Sequence, residues 1–263
     1  MTTLAFAGTG QIASVHAMAA AVLPQVRVVE SPDGADIVVV CSELSRRADD
    51  AIAALDRGSA VIVEKPLCAT LAEADALVEA ACGRVGYAEN LAFAPVMVRA
   101  LAMVPSLGPL HHVEVRATQP EQTWGEVATA LLLAGNATAA AVSATVLSDE
   151  RTEIGVRFDS GLVATIESSW MRDAQPVWDF QAASATGVLR GELLPAPALE
   201  HNGDPVPLPP LRLRGAPGQL EQYGYVDQLR SFVDDFRAGR PPSIEATFGR
   251  AILRIVDAAR ASP

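Results

Sequence analysis

The sequence predicts a two-domain α/β protein, with a parallel sheet in the first domain and a mostly antiparallel, open sheet in the second. In the first part of the chain, short apolar segments alternate with amphipathic ones, which is the pattern of parallel strands covered by helices on both faces. Further on, segments with alternating apolar and polar residues follow one another, and a turn signal at 159–161 separates two of them, as in antiparallel sheets. We therefore place the two domains at residues 1–90 and 91–263.

Each element of the first domain has a local signal. The strand segments are short and apolar, and the helix segments have apolar residues at helical spacing. The third helix also has a start signal, because Thr70 and Glu73 have the spacing of a capping box, and Gly58 stands where the second helix should end. The predicted order is strand 3–8, helix 11–23, strand 36–42, helix 46–58, strand 60–64, helix 70–82 and a short strand within 83–90.

The second domain is predicted to contain a first helix, a run of strands and two closing helices. The predicted order is helix 95–104, strands 111–118, 140–147, 152–159, 161–170, 177–185 and 187–193, and amphipathic helices 223–239 and 245–261. Residues 195–218 are rich in proline and have no periodicity, so we expect a loop or arm there. Several strands carry apolar residues on both faces with few helices to cover them, which predicts a homodimer formed through this sheet.

The bulk composition excludes several classes of protein. The formal net charge is −11 and the chain has no basic patch, which argues against nucleic-acid binding because phosphate contacts need clustered cations. Arg46 and Arg47, the densest basic run, are interpreted as a solvated helix start. The three cysteines lack the spacing of metal ligands and are expected to be reduced thiols. With no leader or membrane-span pattern, we expect a cytoplasmic protein with a small-molecule substrate and no metal or membrane partner.

Gly8 and Gly10 lie in the stretch 8–13, "GTGQIA", which follows the first strand and opens the first helix. Glycines in this context permit a tight turn and a close approach to pyrophosphate, while the helix N-terminus supplies N–H donors to its charge. The stretch therefore predicts a Rossmann-like dinucleotide-binding domain over residues 1–90. The alternative is a glycine turn kept for packing.

Lys65 is the only lysine of the chain. The other nineteen of its twenty Lys and Arg residues are arginine. It directly follows a predicted strand, and open α/β sheets bind their ligands at the carboxyl ends of strands. Pro66 holds the chain in a turn that directs the ammonium away from the strand. A lysine can donate to a substrate hydroxyl or carbonyl and, unlike arginine, can shift its pKa when desolvated. The alternative is a strand-end charge in solvent, a role that arginine would fill in this chain.

Three segments together resemble the Gfo/Idh/MocA family of NAD(P)-dependent oxidoreductases: "GTGQIASVH" at 8–16, "EKPL" at 64–67 and the closing stretch 224–262. The resemblance covers nearly the whole chain and implies hydride exchange between NAD or NADP and sugars, inositols or related hydroxy or carbonyl compounds. It implies that Lys65 is the active-site lysine, which positions and polarises the substrate, often before a cis proline. It further implies a phosphate loop at Gly8, Gly10, Gln11 and Ile12, a nicotinamide-side residue at Ser42, and residues bordering cofactor and substrate at Glu64 and Asn90.

The sequence departs from this family in the cofactor half. Between its first helix and the strand at 36–42 the family has a full strand–helix–strand stretch, whereas this chain offers only 26–35, which is too short for a parallel crossover. Glu30 lies at a suitable distance from the glycines to bind the adenine ribose, and a carboxylate disfavours the phosphate of NADP. We therefore expect NAD rather than NADP, bound weakly.

The second departure concerns the proton donor. The family carries an Asp-x-x-x-His segment at the start of a helix in its second domain, and this segment is missing before 126–135. Reading 121–125 onto the motif puts Gly125 where the histidine belongs. His111 and His112 begin a strand and must face opposite ways, so one of them is a candidate substitute. Other groups considered are His16, which is expected to pack or to face solvent, His201 in the proline-rich stretch, and Tyr87, Tyr223 and Tyr225.

Two functions follow from these features. The first is an NAD(P)-dependent oxidoreductase in which Lys65 orients a small hydroxy or carbonyl compound. The alternative is a family member that has lost hydride transfer, serving as a binding or partner protein or as a non-redox enzyme that uses Lys65.

Overall fold

The computed structural model describes residues 1–119, 124–135 and 137–262 of the chain. In these ranges the strands are β1 (Thr2–Ala7), β2 (Val26–Val28), β3 (Ile37–Val40), β4 (Ala60–Val63), β5 (Val85–Tyr87), β6 (Leu110–Gln119), β7 (Ala139–Ser148), β8 (Arg151–Phe158), β9 (Val163–Trp170), β10 (Val177–Ser184), β11 (Val188–Leu194), β12 (Ala198–His201) and β13 (Asp204–Pro205). The helices are α1 (Gln11–Ala21), α2 (Leu44–Asp56), α3 (Leu71–Ala81), α4 (Pro95–Met103), α5 (Gly125–Ala134), α6 (Gly215–Gln222), α7 (Tyr225–Arg237) and α8 (Ala246–Arg260).

The chain divides into two compact units. The first contains residues 1–93 and 211–253, and the second contains 94–210 and 254–263. Residues 94–210 of the second unit are therefore inserted into the sequence of the first, and the helices α6 and α7 belong to the unit in which the chain begins.

The described strands of the first unit form a parallel sheet in the order β2-β1-β3-β4-β5. Every residue of β3 and β4 is buried, because their sequences IVVV and AVIV are apolar on both faces. The predicted start of α3 is confirmed, since the Thr70 hydroxyl accepts a hydrogen bond of 3.2 Å from the Glu73 N–H. The sequence reading did not assign β2, which has only three residues and no fully buried one.

The described strands of the second unit form a sheet in the order β13-β12-β11-β10-β6-β9-β8-β7. Its neighbours are antiparallel except for the parallel pair β6–β9, so the prediction of a parallel sheet followed by a mostly antiparallel one is confirmed. Helix α5 packs on β6, β9 and β10. The buried side chains of these strands and of β8 alternate with exposed or half-buried ones and include Val113, Val115, Ile154, Val156, Ala164, Ile166 and Phe180.

Two expectations about the second half of the chain are corrected. Residues 195–218 are not a structureless arm, because they contain β12, β13 and the start of α6. Strands of four and two residues are too short to show an alternating pattern, so the prolines dominated the sequence signal.

The expectation of apolar residues on both faces of the second sheet is also wrong. Its open face is ionic: Arg116 binds both carboxylate oxygens of Asp179, at 3.0 and 3.2 Å, and Arg151 pairs with Glu167 at 2.5 Å. The two most exposed large apolar side chains of this sheet lie instead on the edge strand β7, where Val146 is 74% and Leu147 50% exposed. Among the described residues, no helix combines the length and apolar character needed to cross a membrane.

Candidate functional site

The predicted site residues of the first unit lie where its parallel strands end. Because carboxyl ends of parallel strands share one edge of the sheet, residues that directly follow the strands are brought to that edge. The residues that follow β1 to β5 in this way are Gly8 and Gly10 after β1, Glu30 after β2, Ser42 after β3, Glu64 and Lys65 after β4, and Glu89 and Asn90 after β5.

The glycine loop has two glycines with different surroundings. Both have positive φ, 106° at Gly8 and 115° at Gly10, a conformation that other residues rarely adopt. A Cβ at Gly8 would lie 2.5 Å from the backbone nitrogen of Ser42, so this glycine lets β1 and β3 end close together. A Cβ at Gly10 would meet no described atom within 4 Å, and no side chain caps the first turn of α1. The helix N-terminus behind Gly10 is therefore open to an anion.

Glu30 is exposed and lies two residues beyond β2, which pairs in parallel with β1. The strand that leads to the predicted ribose contact is thus present. The described residues 29–36 between β2 and β3 contain no helix, which agrees with the expected loss of part of the family's crossover. The other predicted loop residues flank the open helix end, with Gln11 exposed and Ile12 half-buried.

Lys65 is held by two partners from the next strand end. Its side chain is 16% exposed, and Nζ donates to Glu89 Oε1 at 3.0 Å and to Asn90 Oδ1 at 2.9 Å. The Lys65–Pro66 peptide bond is cis. Burial alone would lower the pKa of Lys65, but the charge of Glu89, with smaller effects of Tyr225 and Glu64, raises it above its usual value. At neutral pH the side chain is therefore an ammonium ion that donates hydrogen bonds.

Glu64 is buried behind the lysine and has both carboxylate oxygens occupied. Oε1 lies 2.6 Å from Nε2 of His16, and Oε2 accepts the backbone N–H of Lys65 at 2.9 Å. Burial by itself would raise the pKa of Glu64, but the hydrogen bond from His16 and the charge of Lys65 outweigh it, so the pKa lies below its usual value. Glu64 therefore anchors the backbone of Lys65 to α1, and it provides a hydrogen-bond partner for His16, which is fully buried in that helix.

Arg47 ties together the ends of two neighbouring strands. Its guanidinium donates to the carbonyls of Ser42, Glu64 and Pro66, with distances from 2.6 to 3.2 Å. The interpretation of Arg46 and Arg47 as a solvated helix start is therefore wrong for Arg47, which is buried, while Arg46 is exposed. Nothing in the sequence distinguishes the two arginines before the direction of α2 is known.

Ser42 and Asn90 complete the edge. Ser42 is buried, and its hydroxyl has no hydrogen-bond partner among the described residues. Asn90 uses both ends of its amide, since Oδ1 accepts from Lys65 while Nδ2 donates to the Tyr223 carbonyl at 2.8 Å. The tyrosine at 225 is half-buried, and its ring stands edge-on to the His16 ring, with the two ring centres 5.8 Å apart.

Glu89 is the site residue that sequence reasoning missed. It is 1% exposed, and its Oε2 has no partner among the described residues. Burial raises the pKa of Glu89, and the neighbouring Lys65 opposes that rise only in part. The available signal was a carboxylate directly after a buried strand, one residue before the predicted Asn90.

The other candidate acid–base side chains make no described hydrogen bond to Lys65, Glu89 or Asn90. His112 lies on β6 and contacts the Thr165 hydroxyl at 3.2 Å, and His201 ends β12, both within the second unit. Tyr87 is fully buried, and burial raises its pKa well above the usual value.

Gly125 starts α5 against the ring of Trp178, and a Cβ there would lie 2.4 Å from a ring carbon. A histidine does not fit at 125 while Trp178 keeps this position. In the alignment of residues 121–125 with the Asp-x-x-x-His motif, residues 121–123 lie outside the described residues.

The fold and these strand ends define a Rossmann-type parallel unit combined with a mostly antiparallel open sheet. Residues 23–84 match the family model GFO_IDH_MocA, described as an oxidoreductase family with an NAD-binding Rossmann fold. The match includes Lys65, and it confirms the resemblance to the Gfo/Idh/MocA family. A comparison with curated protein sequences gives no significant match.

Solved structures with the same fold cover almost the whole chain. GenD2 from gentamicin A biosynthesis, in complex with NAD, has a TM-score of 0.82 at 20% identity, covering 99% of this chain and 93% of its own. UDP-N-acetylglucosamine 3-dehydrogenase GnnA from Acidithiobacillus ferrooxidans has a TM-score of 0.79 at 18% identity, with 99% and 97% covered. An oxidoreductase from Agrobacterium radiobacter, in complex with NAD+, L-tartaric acid and magnesium, has 0.82 at 14% identity, with 99% and 96% covered.

Proposed function

We propose that the protein is an NAD(P)-dependent oxidoreductase that acts on a small, sugar-like hydroxy or carbonyl compound. The observation that carries this proposal is the Lys65 ammonium, fixed by Glu89 and Asn90 at the strand-end edge that also holds the glycine loop. Two of the similar structures contain NAD, and one acts on a nucleotide sugar, which supports the cofactor and the substrate class.

The residues present fit the pyrophosphate half of a dinucleotide. The space beside Gly10 is open, and the start of α1 offers uncapped N–H groups to a negative charge. Glu30 would accept hydrogen bonds from the adenine ribose, which favours NAD over NADP. The bound nicotinamide would exchange hydride with the substrate.

Lys65 would polarise the substrate. An ammonium has three N–H donors, and two of them are engaged by Glu89 and Asn90. The third is available to a substrate oxygen, where a positive donor stabilises the charge that develops on an alkoxide or carbonyl.

Cofactor binding tests the proposal directly. Because the helix that normally lines the adenosine pocket is missing, we expect the binding free energy to be weaker by ~2–4 kcal/mol. This raises the Kd of a typical micromolar site to roughly 0.1–1 mM. Calorimetric titration with NADH and NADPH measures this, and Gly10→Asp is the control that should abolish binding. Absence of binding at millimolar cofactor would contradict the oxidoreductase.

Turnover is tested with a panel of polyols, sugars and nucleotide sugars, with NADH formation followed by absorbance. Lys65→Arg should remove most of any activity and leave the melting temperature nearly unchanged, because arginine keeps the charge but cannot reproduce the compact ammonium geometry. A fully active Lys65→Arg protein would remove the lysine from the mechanism.

The alternative is a protein that has lost hydride transfer, and two observations favour it. The described residues 29–36 contain no crossover helix, and Trp178 fills the space of a side chain at Gly125. In that case Lys65 would bind a ligand or serve non-redox chemistry, and the NADH titration separates the two functions.

We also propose that the protein is a cytoplasmic homodimer. Because the open face of the second sheet is ionic, the edge strand β7 supports the dimer better. It has ten residues with no charge and no proline, and Val146 and Leu147 are 74% and 50% exposed. Light scattering of the wild type and of Val146→Lys measures the mass, and a wild-type monomer at micromolar concentration would contradict the dimer.

A further inference from the structure

We propose that Glu89 exchanges a proton with Lys65 during turnover, so that this pair does the acid–base work of the missing Asp-x-x-x-His segment. The inference rests on the proposed oxidoreductase function and adds a residue that neither the resemblance nor the comparisons assign. Glu89 acts through the lysine and is thus a positioning and proton-storing residue, because its own side chain is 1% exposed.

The geometry selects Glu89 among the groups that face Lys65. Oε1 accepts from Nζ at 3.0 Å, and Oε2 has no partner among the described residues, so the carboxyl group has room for a proton. Asn90 holds the same ammonium at 2.9 Å and thereby fixes its direction.

The other titratable groups near Lys65 are less suited than Glu89 to exchange a proton with it. Glu64 has its two oxygens on His16 and on the Lys65 N–H. Tyr225 faces the lysine from α7 and influences it by charge only. Arg47 makes four hydrogen bonds to backbone carbonyls, and it permanently carries its proton.

Burial raises the pKa of Glu89, which makes its protonated form accessible nearer to neutral pH than for a carboxyl in water. Lys65 in contrast keeps its positive charge, because the carboxylates around it raise its pKa. A proton can therefore pass through Lys65, which is an ammonium ion before and after the transfer, while Glu89 changes its charge.

The step balances for the oxidation of an alcohol. One N–H bond of the ammonium breaks first and an O–H bond forms at Glu89 Oε1; the lone pair that this leaves on Lys65 Nζ then takes the proton of the substrate hydroxyl, so that the substrate O–H bond breaks and a new N–H bond forms. The hydrogen on the substrate carbon leaves with its electron pair, as hydride, to the oxidised nicotinamide, and the carbon–oxygen bond becomes a carbonyl. Lys65 remains an ammonium ion and Glu89 becomes a carboxylic acid. Reduction is the reverse.

The single lysine makes the test selective. In protein labelled with 15N-lysine, the side-chain Nζ signal comes from Lys65 alone. We expect Glu89→Gln to lower the pKa of Lys65, because the charge that raises it most is removed. The matched control is Glu221→Gln, which removes another buried, ion-paired carboxylate of the same unit and should leave the titration of Lys65 unchanged.

The kinetic arm uses whichever polyol or sugar of the panel the wild type oxidises. Glu89→Gln should lower kcat by about 10²-fold or more, change KM less than about threefold, and remove the acidic limb of the pH profile of kcat. Glu89→Asp keeps a carboxylate and should therefore restore the acidic limb of the pH profile. It also tests the pair if Glu89→Gln folds poorly.

An Nζ titration that is the same in Glu89→Gln and wild type would overturn the proposal, and so would an unchanged kcat and pH profile. These outcomes are distinguishable from failure of the oxidoreductase itself. A Lys65 titration that shifts in Glu89→Gln, in a protein that binds no NADH, would confirm the charge coupling of the pair and count against the oxidoreductase function on which its use in turnover rests.

Discussion

Alanine substitutions at the two loop glycines should separate folding from cofactor binding. Gly8 and Gly10 both have positive φ, so either alanine strains the backbone by about 1–3 kcal/mol. Only at Gly8 does the new Cβ also collide with backbone, 2.5 Å from the nitrogen of Ser42 and 2.6 Å from the carbonyl carbon of Cys41. Moving the ends of β1 and β3 apart adds roughly 1–3 kcal/mol, as for other overpacking changes.

The free energy of unfolding should therefore fall by about 2–6 kcal/mol in Gly8→Ala and by about 1–3 kcal/mol in Gly10→Ala. At about 2–4 °C per kcal/mol for a chain of this size, the melting temperature falls by about 4–24 °C and about 2–12 °C, respectively. Binding should show the opposite order. Gly10→Ala puts a methyl group into the open space where the pyrophosphate would approach, and should weaken NADH binding at least about tenfold.

Thermal unfolding measures the first quantity, and NADH titration well below the transition measures the second. The reasoning is refuted if both variants lose the same stability, since the backbone collision would then be without consequence. It is equally refuted if Gly10→Ala binds NADH as tightly as the wild type, because the open space at Gly10 would then not be the phosphate site.

Two further predictions concern thiols and acid stability. A thiol reagent at neutral pH should label only the exposed Cys82 in the folded protein and all three cysteines in denaturant, because burial raises the pKa of Cys41 and Cys68 to about 12. Labelling of either remaining thiol in the folded Cys82→Ser variant would contradict this. Glu64→Gln should lower the free energy of unfolding by about 1.5–3 kcal/mol at pH 7. The stability difference from the wild type should shrink as pH falls below 4.5, because the folded-state pKa of Glu64 is lowered and the stabilising effect of its charge is lost as pH falls through this folded-state pKa. A stability difference that is independent of pH in thermal melts would refute the role given to the charge of Glu64.

Most of the fold was predictable because its elements have strong local signals. Strands β3 and β4 are continuous apolar runs, and α7 and α8 have clear amphipathic faces, so each was recognised without knowing its neighbours. β2 and β12 were not, since three or four residues hold too little pattern. The polarity of the open sheet face was missed as well, because a strand's outward face is known only once its register is fixed.

The site was predictable at the level of strand ends, and less so at the level of partners. Lys65 and Asn90 follow recognisable strands, and the structure joins them by a direct hydrogen bond. The burial of Arg47 and Glu89 depends on contacts between distant segments, which no local pattern records. Charged residues are assumed to be exposed, so a buried ionic network is the feature that sequence reasoning tends to miss.

The insertion of residues 94–210 into the first unit has a consequence for the order in which the protein is made. All strands of the first parallel sheet leave the ribosome early, but Gly86 bridges to Glu245, and the ring of Phe232 covers Gly86. Such contacts between distant residues form slowly, since a long stretch of chain must first be closed. Until residues 211–253 have been synthesised, apolar residues of the nascent first unit therefore stay exposed, and we expect chaperones to bind the unit during that interval. Asn90, which binds the Tyr223 carbonyl, gains this support only then, so the surroundings of Lys65 are among the last parts of the molecule to be completed.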